Sequence, residues 1–186
     1  MIGAVILAAG AGTRLGGVAK ALLPYGDQTY LAAIIATAKR VGLVDAVVVV
    51  GEPFAREVAA EARRLGLRVR VNPAPERGMA SSVALGFAAI AAGPADAAWL
   101  WPVDHPFVQA ATLARIAAAR GAHAVAQPRY QGRGGHPPLI ARPLWPALAT
   151  TGTTARDVIR AAQPVAIEVD DAGVVRDVDL PEEIHA

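Results

Sequence analysis

A short apolar run that leads into a glycine-rich loop constrains the fold of this 186-residue chain more than any other feature. Residues 4–24 read AVILAAGAGTRLGGVAKALLP. The apolar residues 5–7 are typical of a strand buried on both faces in the middle of a parallel sheet. The glycines that follow allow positive φ angles and a close approach of the backbone to a ligand. Arg14 and Lys20 add positive charge, so the segment predicts a phosphate-binding loop. The loop glycines are Gly10, Gly12, Gly16 and Gly17.

The lysine of this loop is informative because lysine is rare in the sequence. Among the 18 basic residues that are lysine or arginine, only Lys20 and Lys39 are lysines. A compact ammonium group on a flexible stem binds a phosphate as a point charge, which suits a glycine loop. The alternative interpretation is a solvated loop with an incidental lysine.

The loop differs from two common nucleotide-binding loops. Residues 10–16 imitate the dinucleotide fingerprint, but that motif needs a helix that starts inside it and an acidic residue about 20 positions later. Here Pro24 prevents a helix through Lys20, and the next helical pattern starts near Thr29. A Walker loop needs Ser or Thr after its lysine, whereas Ala21 follows Lys20. We therefore expect a long loop that wraps the ligand and ends before the first helix.

Apolar strands alternate with helical patterns along the rest of the chain. This order predicts an α/β fold with a doubly wound, mainly parallel (mixed) sheet and helices on both faces, and a late hairpin suggests one antiparallel strand. Strand 67–71 alternates apolar residues with arginine, so we expect it at a sheet edge. Further strands are predicted at residues 47–50, 96–103, 123–128 and 165–169, followed by a turn at 171–173 and the segment 174–178. Helices are predicted at residues 29–41, 54–65, 82–92, 109–120 and 143–149, and from residue 153.

Length and composition limit the possible functions. The length of 186 residues predicts one domain, residues 1–186. The net charge is only +2 and no dense basic run is present, so we expect no nucleic-acid binding. The apolar residues 1–9 are too short to span a bilayer and lack the basic start of a signal peptide, so we expect no membrane partner. The absence of cysteine excludes disulfides and thiolate metal sites, and it favours a cytoplasmic location.

A proline-rich loop at residues 72–83, NPAPERGMASSV, precedes the third predicted helix. Ser81 or Ser82 is expected to cap that helix. Helix N-termini present free N–H groups and the positive end of the helix dipole, so the loop is also a natural contact for a nucleotide.

Asp104 follows the apolar strand 96–103 and marks a second part of the site. Ligands in open α/β sheets bind at the carboxyl ends of the strands, where both Asp104 and Gly10 are expected. An aspartate before a turn is commonly a structural cap. Next to a phosphate loop, however, it supplies the hard oxygen ligand that Mg²⁺ bound to a triphosphate requires.

Several motifs carry a resemblance to a known family. Residues 7–10 (LAAG), 14–17 (RLGG) and 20–24 (KALLP) resemble the signature of the MobA-like nucleotidyltransferases, in particular the molybdenum cofactor cytidylyltransferases. The loop at 72–83 is similar to the family's second signature, N-P-x-x-x-x-G followed by a Ser-Val helix start. The resemblance implies the nucleotide-diphospho-sugar transferase fold, with Lys20, Arg14 and Asp104 as catalytic residues and Asp104 as metal ligand. The nucleotide-binding residues that it implies are Leu7, Ala8, Ala9, Gly10, Gly12, Thr13, Arg14, Lys20, Asn72, Gly78 and Ser82.

The same resemblance extends into the second half of the chain. Residues 129–139, RYQGRGGHPPL, resemble the region where the acceptor approaches the nucleotide, which implies acceptor contacts for Arg133 and His136; an exposed hairpin tip is the alternative. The family often has an Ala-Arg pair near the acceptor's phosphate, which implies Arg156, although this chain lacks the usual Gly-Asp before it. The closing residues 177–184, DVDLPEEI, resemble the family's D-I-D-T-P-E-D-L, which implies a second metal ligand at Asp179; a cap before a terminal helix is the alternative.

These features predict nucleotidyl transfer, a reaction that depends on positioning and charge neutralisation rather than on a protein nucleophile. Relatives that use GTP read LAGG where this chain reads LAAG, so the resemblance implies CTP, with Mg²⁺ as cofactor. It also implies a molybdopterin-type acceptor and a molybdoenzyme that receives the product. The alternatives are a sugar 1-phosphate acceptor, a protein that binds and delivers a molybdopterin nucleotide, and a nicotinamide oxidoreductase. The missing acidic residue of the dinucleotide fingerprint argues against the last of these.

Overall fold

The structure is a computed structural model that describes residues 1–12, 16–150 and 152–178. Within these residues, a mixed sheet of eight strands forms the centre, and a two-stranded hairpin lies apart from it. The strands are β1 (Ile2–Ala8), β2 (Pro24–Tyr25), β3 (Gln28–Thr29), β4 (Leu43–Gly51), β5 (Arg68–Asn72), β6 (Ala97–Pro102), β7 (Val125–Tyr130), β8 (Arg133–Gly134), β9 (Leu139–Ala141) and β10 (Val165–Glu168). The α-helices are α1 (Tyr30–Lys39), α2 (Ala55–Arg64), α3 (Met79–Ile90), α4 (Ala110–Ala119), α5 (Trp145–Leu148) and α6 (Ala155–Ala161).

The sheet has the order β10-β7-β9-β6-β1-β4-β5, with β8 paired to β7. β1 is parallel to both of its neighbours, β4 and β6, and β5 and β10 are also parallel to their partners. β9 is antiparallel to β6 and β7. The predicted mainly parallel sheet with an antiparallel strand is therefore confirmed, as is the place of β5 at an edge.

Both faces of the sheet are covered, as predicted. Successive residues of β1 point to opposite faces: Ile6 packs in the cluster with α1, α2 and α4, and Val5 packs in the cluster with α3, α5 and α6. The four valines 47–50 are fully buried at the next strand position. This burial on both faces explains why the central strands are continuous apolar runs.

The start of α3 differs from the prediction. The helix begins at Met79 with Gly78 as its N-cap, so the expected cap at Ser81 or Ser82 is wrong. Gly78 has a φ of 88°, a conformation that favours glycine, and the chain enters the helix there directly from the 3₁₀ turn Pro75–Arg77. Both serines already lie within the helix, where the Ser81 hydroxyl donates to the Gly78 carbonyl at 2.8 Å.

Smaller differences concern element boundaries. The strand expected at 123–128 runs from Val125 to Tyr130. A 3₁₀ turn, Lys20–Leu22, and the β2–β3 hairpin occupy the stretch expected to be loop before α1. Another 3₁₀ turn, Ala172–Val174, follows β10. Of the helices in the described part of the chain, none is long and apolar enough to cross a membrane.

Candidate active site

A cavity of about 250 Å³ opens at the carboxyl ends of β1 and β6. These strands are parallel neighbours, and the Val103 N–H donates to the Leu7 carbonyl at 3.1 Å just beyond β6. The lining includes the predicted residues Leu7, Ala8, Ala9, Gly10, Lys20, Gly78, Ser82 and Asp104. It also includes Ala21, Pro75, Met79, Pro102 and Val103, which the sequence did not single out as site residues. Each of these five lies within two positions of a predicted residue or within the 72–83 loop.

Helix α3 reaches the cavity because it lies very close to the sheet. A Cβ atom at Gly86 would stand 2.3 Å from Val5 Cγ1, so only glycine permits this approach. The N-terminal end of α3 then contributes Gly78, Met79 and Ser82 to the lining. Its free N–H groups and its dipole favour an anionic ligand at this end of the helix.

Lys20 and Asp104 meet in the lining of the cavity. The Lys20 ammonium, in the 3₁₀ turn after the glycine loop, lies 3.4 Å from Asp104 Oδ2. Both side chains are largely buried, with 17% and 26% of their surface exposed. The other carboxylate oxygen of Asp104, Oδ1, is buried and has no hydrogen-bond partner among the described residues. His105 Nε2 is 3.9 Å from it.

The unsatisfied oxygen of Asp104 fits a divalent cation. Within the described ranges, no three His, Cys, Asp or Glu side chains form a complete metal site. A divalent cation such as Mg²⁺ is commonly held in proteins by one or two carboxylates, with substrate phosphates and water as the remaining ligands, so a set of three protein ligands is not required. Val178 donates its N–H to the Asp104 carbonyl at 3.0 Å, which brings the chain that precedes Asp179 to the site. Asp179 itself lies outside the described residues, as do Thr13 and Arg14.

Two histidines extend the site from Asp104 towards the predicted acceptor side. The rings of His105 and His136 have centroids 4.9 Å apart, and each Nδ1 atom is buried without a hydrogen-bond partner among the described residues. Burial lowers the pKa of His105, against the opposing effect of the Asp104 and Asp177 carboxylates. Burial and the neighbouring His105 lower the pKa of His136 to about 4. Both imidazoles are therefore neutral at pH 7 and add no positive charge beside Asp104.

The other predicted acceptor residues lie on the surface. Arg133 is exposed on β8, in the hairpin that precedes His136. Arg156 is exposed in the first turn of α6, where Thr154 is the N-cap. Neither residue lines the cavity. Their acceptor contacts remain predictions.

Asn72 and Gly12 shape the site without lining the cavity. Asn72 is buried, and its amide nitrogen donates to the Ser81 and Ser82 hydroxyls at 2.8 and 2.9 Å while its oxygen accepts from the Ala74 N–H. It therefore ties the proline-rich loop to α3. Gly12 has a φ of 57°, and its carbonyl accepts from the Gly17 N–H at 2.9 Å, which closes the glycine loop.

Comparisons with known proteins agree with this fold and site. Residues 4–166 match the profile of the MobA-like NTP transferase domain. The chain is 32% identical over 193 aligned positions to a nicotine blue oxidoreductase of Paenarthrobacter nicotinovorans, covering 97% of this chain and 93% of that protein. The crystal structure of Rv0371c from Mycobacterium tuberculosis H37Rv matches with a TM-score of 0.84 and 29% identity over 100% of this chain and 96% of that one.

A second structure of Rv0371c bears on the metal. It is a complex with manganese, and it matches with a TM-score of 0.71 and 27% identity over 99% of this chain and 96% of that one. A divalent cation therefore occurs in a similar protein, in agreement with the unsatisfied oxygen of Asp104. The profile match covers most of the chain, so the chain belongs to the MobA-like NTP transferase family.

Proposed function

We propose that the protein is a Mg²⁺-dependent nucleotidyltransferase that moves CMP from CTP onto the phosphate of a molybdopterin-type acceptor. The observation that carries this proposal is the contact of 3.4 Å between Lys20 Nζ and Asp104 Oδ2 in the lining of the cavity. It combines a phosphate-binding cation with a carboxylate that keeps one oxygen available for a metal. Phosphoryl chemistry needs these two groups in one place.

In the proposed reaction a phosphate oxygen of the acceptor attacks the α-phosphorus of CTP in line. A new P–O bond forms, the bond between the α-phosphorus and the bridging oxygen breaks, and pyrophosphate leaves with that electron pair. Negative charge shifts to the pyrophosphate as it leaves, and the Lys20 ammonium neutralises part of that charge. Asp104 would hold Mg²⁺, which when bound stabilises negative charge on the phosphate oxygens. No side chain has to act as a nucleophile.

The walls of the cavity support a nucleotide as the donor. One wall is the stretch of chain from Leu7 to Gly10, and the other includes the N-terminus of α3, which presents backbone N–H groups. Ala9 lines the cavity and is buried, so its methyl group reduces the space for a base. This favours a pyrimidine over a purine and agrees with the CTP that the LAAG sequence implies.

The acceptor side is proposed along His105, His136 and Arg133. His105 follows Asp104 in the chain and contacts the ring of His136, and neither histidine lines the nucleotide cavity. Arg133 offers an exposed guanidinium on the hairpin that precedes His136. A guanidinium pairs well with a phosphate, so the acceptor should carry one. Molybdopterin as that acceptor rests on the resemblance of the motifs.

The direct test supplies purified protein with Mg²⁺, each nucleoside triphosphate in turn, and molybdopterin with or without molybdenum. We expect pyrophosphate and a cytosine dinucleotide of molybdopterin. Lys20→Ala should abolish most of the product, whereas Lys39→Ala, which changes the other lysine at an exposed position of α1, should not. If product forms from a sugar 1-phosphate and not from molybdopterin, the proposed acceptor is wrong. Tight binding of a molybdopterin nucleotide without release of pyrophosphate would indicate a delivery protein.

A second candidate function is an oxidoreductase, and the identity of 32% to nicotine blue oxidoreductase favours it. A nicotinamide dinucleotide also carries nucleotide phosphates, which the same cavity would accept. The loop lacks the acidic residue of dinucleotide-binding loops, which favours the transferase. The protein should be mixed with nicotine blue and a reduced nicotinamide dinucleotide, and oxidation of the dinucleotide measured. Turnover there, with no pyrophosphate from any triphosphate, would replace the proposed function.

A further inference from the structure

Gly51 lies behind two walls of the cavity without lining it. It is the last residue of β4, where β4 runs beside β1 with Ala8 opposite Val50. A Cβ atom at Gly51 would stand 3.0 Å from Ala9 Cβ, 3.0 Å from Pro75 Cβ and 3.1 Å from the Ala9 carbonyl oxygen. A single methyl group at this position would therefore press on both walls at once.

The backbone of Gly51 does not require glycine, because its φ lies outside the left-handed region. What the position requires is the absence of a side chain. The two walls come from different segments: Ala9 follows β1, and Pro75 begins the 3₁₀ turn Pro75–Arg77. Only the hydrogen of Gly51 separates them at this point.

Both walls are held close to Gly51. Ala9 continues the central strand β1, which pairs with β4 and β6. Pro75 follows Asn72, which pairs with Gly51 across β4 and β5 and holds Ser81, Ser82 and the Ala74 N–H. The distance between the two walls is therefore set mainly by how closely they approach Gly51.

We propose that Gly51 is a specificity-determining residue of the nucleotide site, because its missing side chain sets the separation of Ala9 from Pro75. The close walls leave room for a pyrimidine and disfavour a purine. This inference rests on the proposed function, in which the cavity binds a nucleoside triphosphate. It adds a residue that acts on base selection from outside the lining.

The test measures dissociation constants of CTP and GTP by titration calorimetry in the presence of Mg²⁺. Gly51→Ala should force the walls apart by a few tenths of an ångström. It should therefore strengthen the binding of GTP relative to that of CTP. One methyl group in an apolar pocket changes discrimination by roughly 10- to 200-fold. We expect the ratio of the GTP constant to the CTP constant to fall by at least about fivefold.

Gly3→Ala is the matched control. Gly3 is also a strand glycine, and a Cβ atom there would meet Ile90 Cδ1 at 2.8 Å and the Asp45 carbonyl at 3.1 Å. It lies near the start of β1, at the opposite end of the sheet from the cavity. It should cost stability in the same way but leave the GTP-to-CTP ratio unchanged.

A double variant keeps the test informative if Gly51→Ala folds poorly. Ala9→Gly removes one of the atoms that the new side chain would meet, so Ala9→Gly/Gly51→Ala keeps only the contacts with the Ala9 carbonyl oxygen and with Pro75. Because the two residues are in contact, the effects of the two single changes on the logarithm of the ratio should not add. Additive effects would contradict the inference.

The outcomes separate the two proposals. If the unaltered protein binds both triphosphates and Gly51→Ala leaves the ratio within about twofold of the original or raises it, this inference alone is wrong. A fall of the same size in Gly3→Ala would also overturn it, because the effect would then come from general loss of stability. If the unaltered protein binds no nucleoside triphosphate, the proposed function fails and the inference fails with it.

Discussion

The imidazole rings of His105 and His136 pack against each other with centroids 4.9 Å apart, although the residues belong to different turns of the chain. The backbone N–H of His136 also donates to the Val174 carbonyl at 2.7 Å, so the pair connects the turn after β6 with the segment after β10. Asp171 holds that segment through its carboxylate, which accepts from the Gly173 and Gln109 N–H groups at 2.9 Å. The ring pair therefore joins the residue next to Asp104 to the segment after β10.

The pKa of His136 should make stability depend on pH. Its folded-state pKa of about 4 lies below its ordinary value of 6.5, so the unfolded chain binds the proton first as pH falls. The free energy of unfolding should decrease between pH 6.5 and about 4 by about 3 kcal/mol from this residue, and this residue should have no effect above that range. Urea unfolding at several pH values measures this free energy, which should decrease less steeply towards low pH in His136→Gln than in the unaltered protein. The exposed His123 gives the control, His123→Gln, and equal slopes for both variants would contradict the assignment.

Lys20 and Asp104 should act on the chemical step. Replacing either residue by Ala should lower turnover by about 100-fold or more, because each removes a charged group next to the transferring phosphate. Pyrophosphate release measures this directly, and circular dichroism checks the fold. Lys39→Ala should keep normal turnover because that lysine is exposed at the end of α1. Near-normal turnover in both site variants, with the fold intact, would remove them from the mechanism.

Asp104 should also determine the metal dependence. Asp104→Asn keeps the size and the hydrogen-bonding capacity of the side chain but loses the carboxylate charge that a hard cation prefers. Titration of nucleotide binding with Mg²⁺ should show weaker metal dependence in this variant than in the unaltered protein. Asp27→Asn, in the exposed turn between β2 and β3, is the control. Overlapping titrations of all three proteins would mean that Asp104 has only a structural role.

The choice of nucleotide should be visible in thermal stability. A ligand at 100 times its dissociation constant stabilises the folded state by about 2.7 kcal/mol, which corresponds to roughly 5 to 11 °C in Tm at this size. With Mg²⁺ present, CTP should raise Tm more than the same concentration of GTP, and Ala9→Gly should narrow the difference. A larger shift with GTP would argue against CTP while leaving nucleotidyl transfer in place.

The sequence by itself determined the layers of the fold and the edge of the sheet that carries the site. The apolar runs within β1, β4 and β6, at residues 4–8, 46–50 and 97–101, have no charged residue to expose, so they must be covered on both faces. Parallel strands end at the same edge, which is why Lys20 and Asp104 were expected together although 84 positions separate them. The family followed from the same local motifs.

The tertiary structure decided which side chains keep donor or acceptor atoms available for a ligand, and it decided how wide the cavity is. Asn72 was predicted to bind the nucleotide, but its amide is used by Ser81, Ser82 and the Ala74 N–H, partners that only folding brings together. The wall contacts of Gly51 likewise depend on distances of tenths of an ångström between distant segments. Such distances depend on side-chain packing throughout the domain, because a close-packed interior relaxes only as a whole. A local sequence pattern does not contain that information.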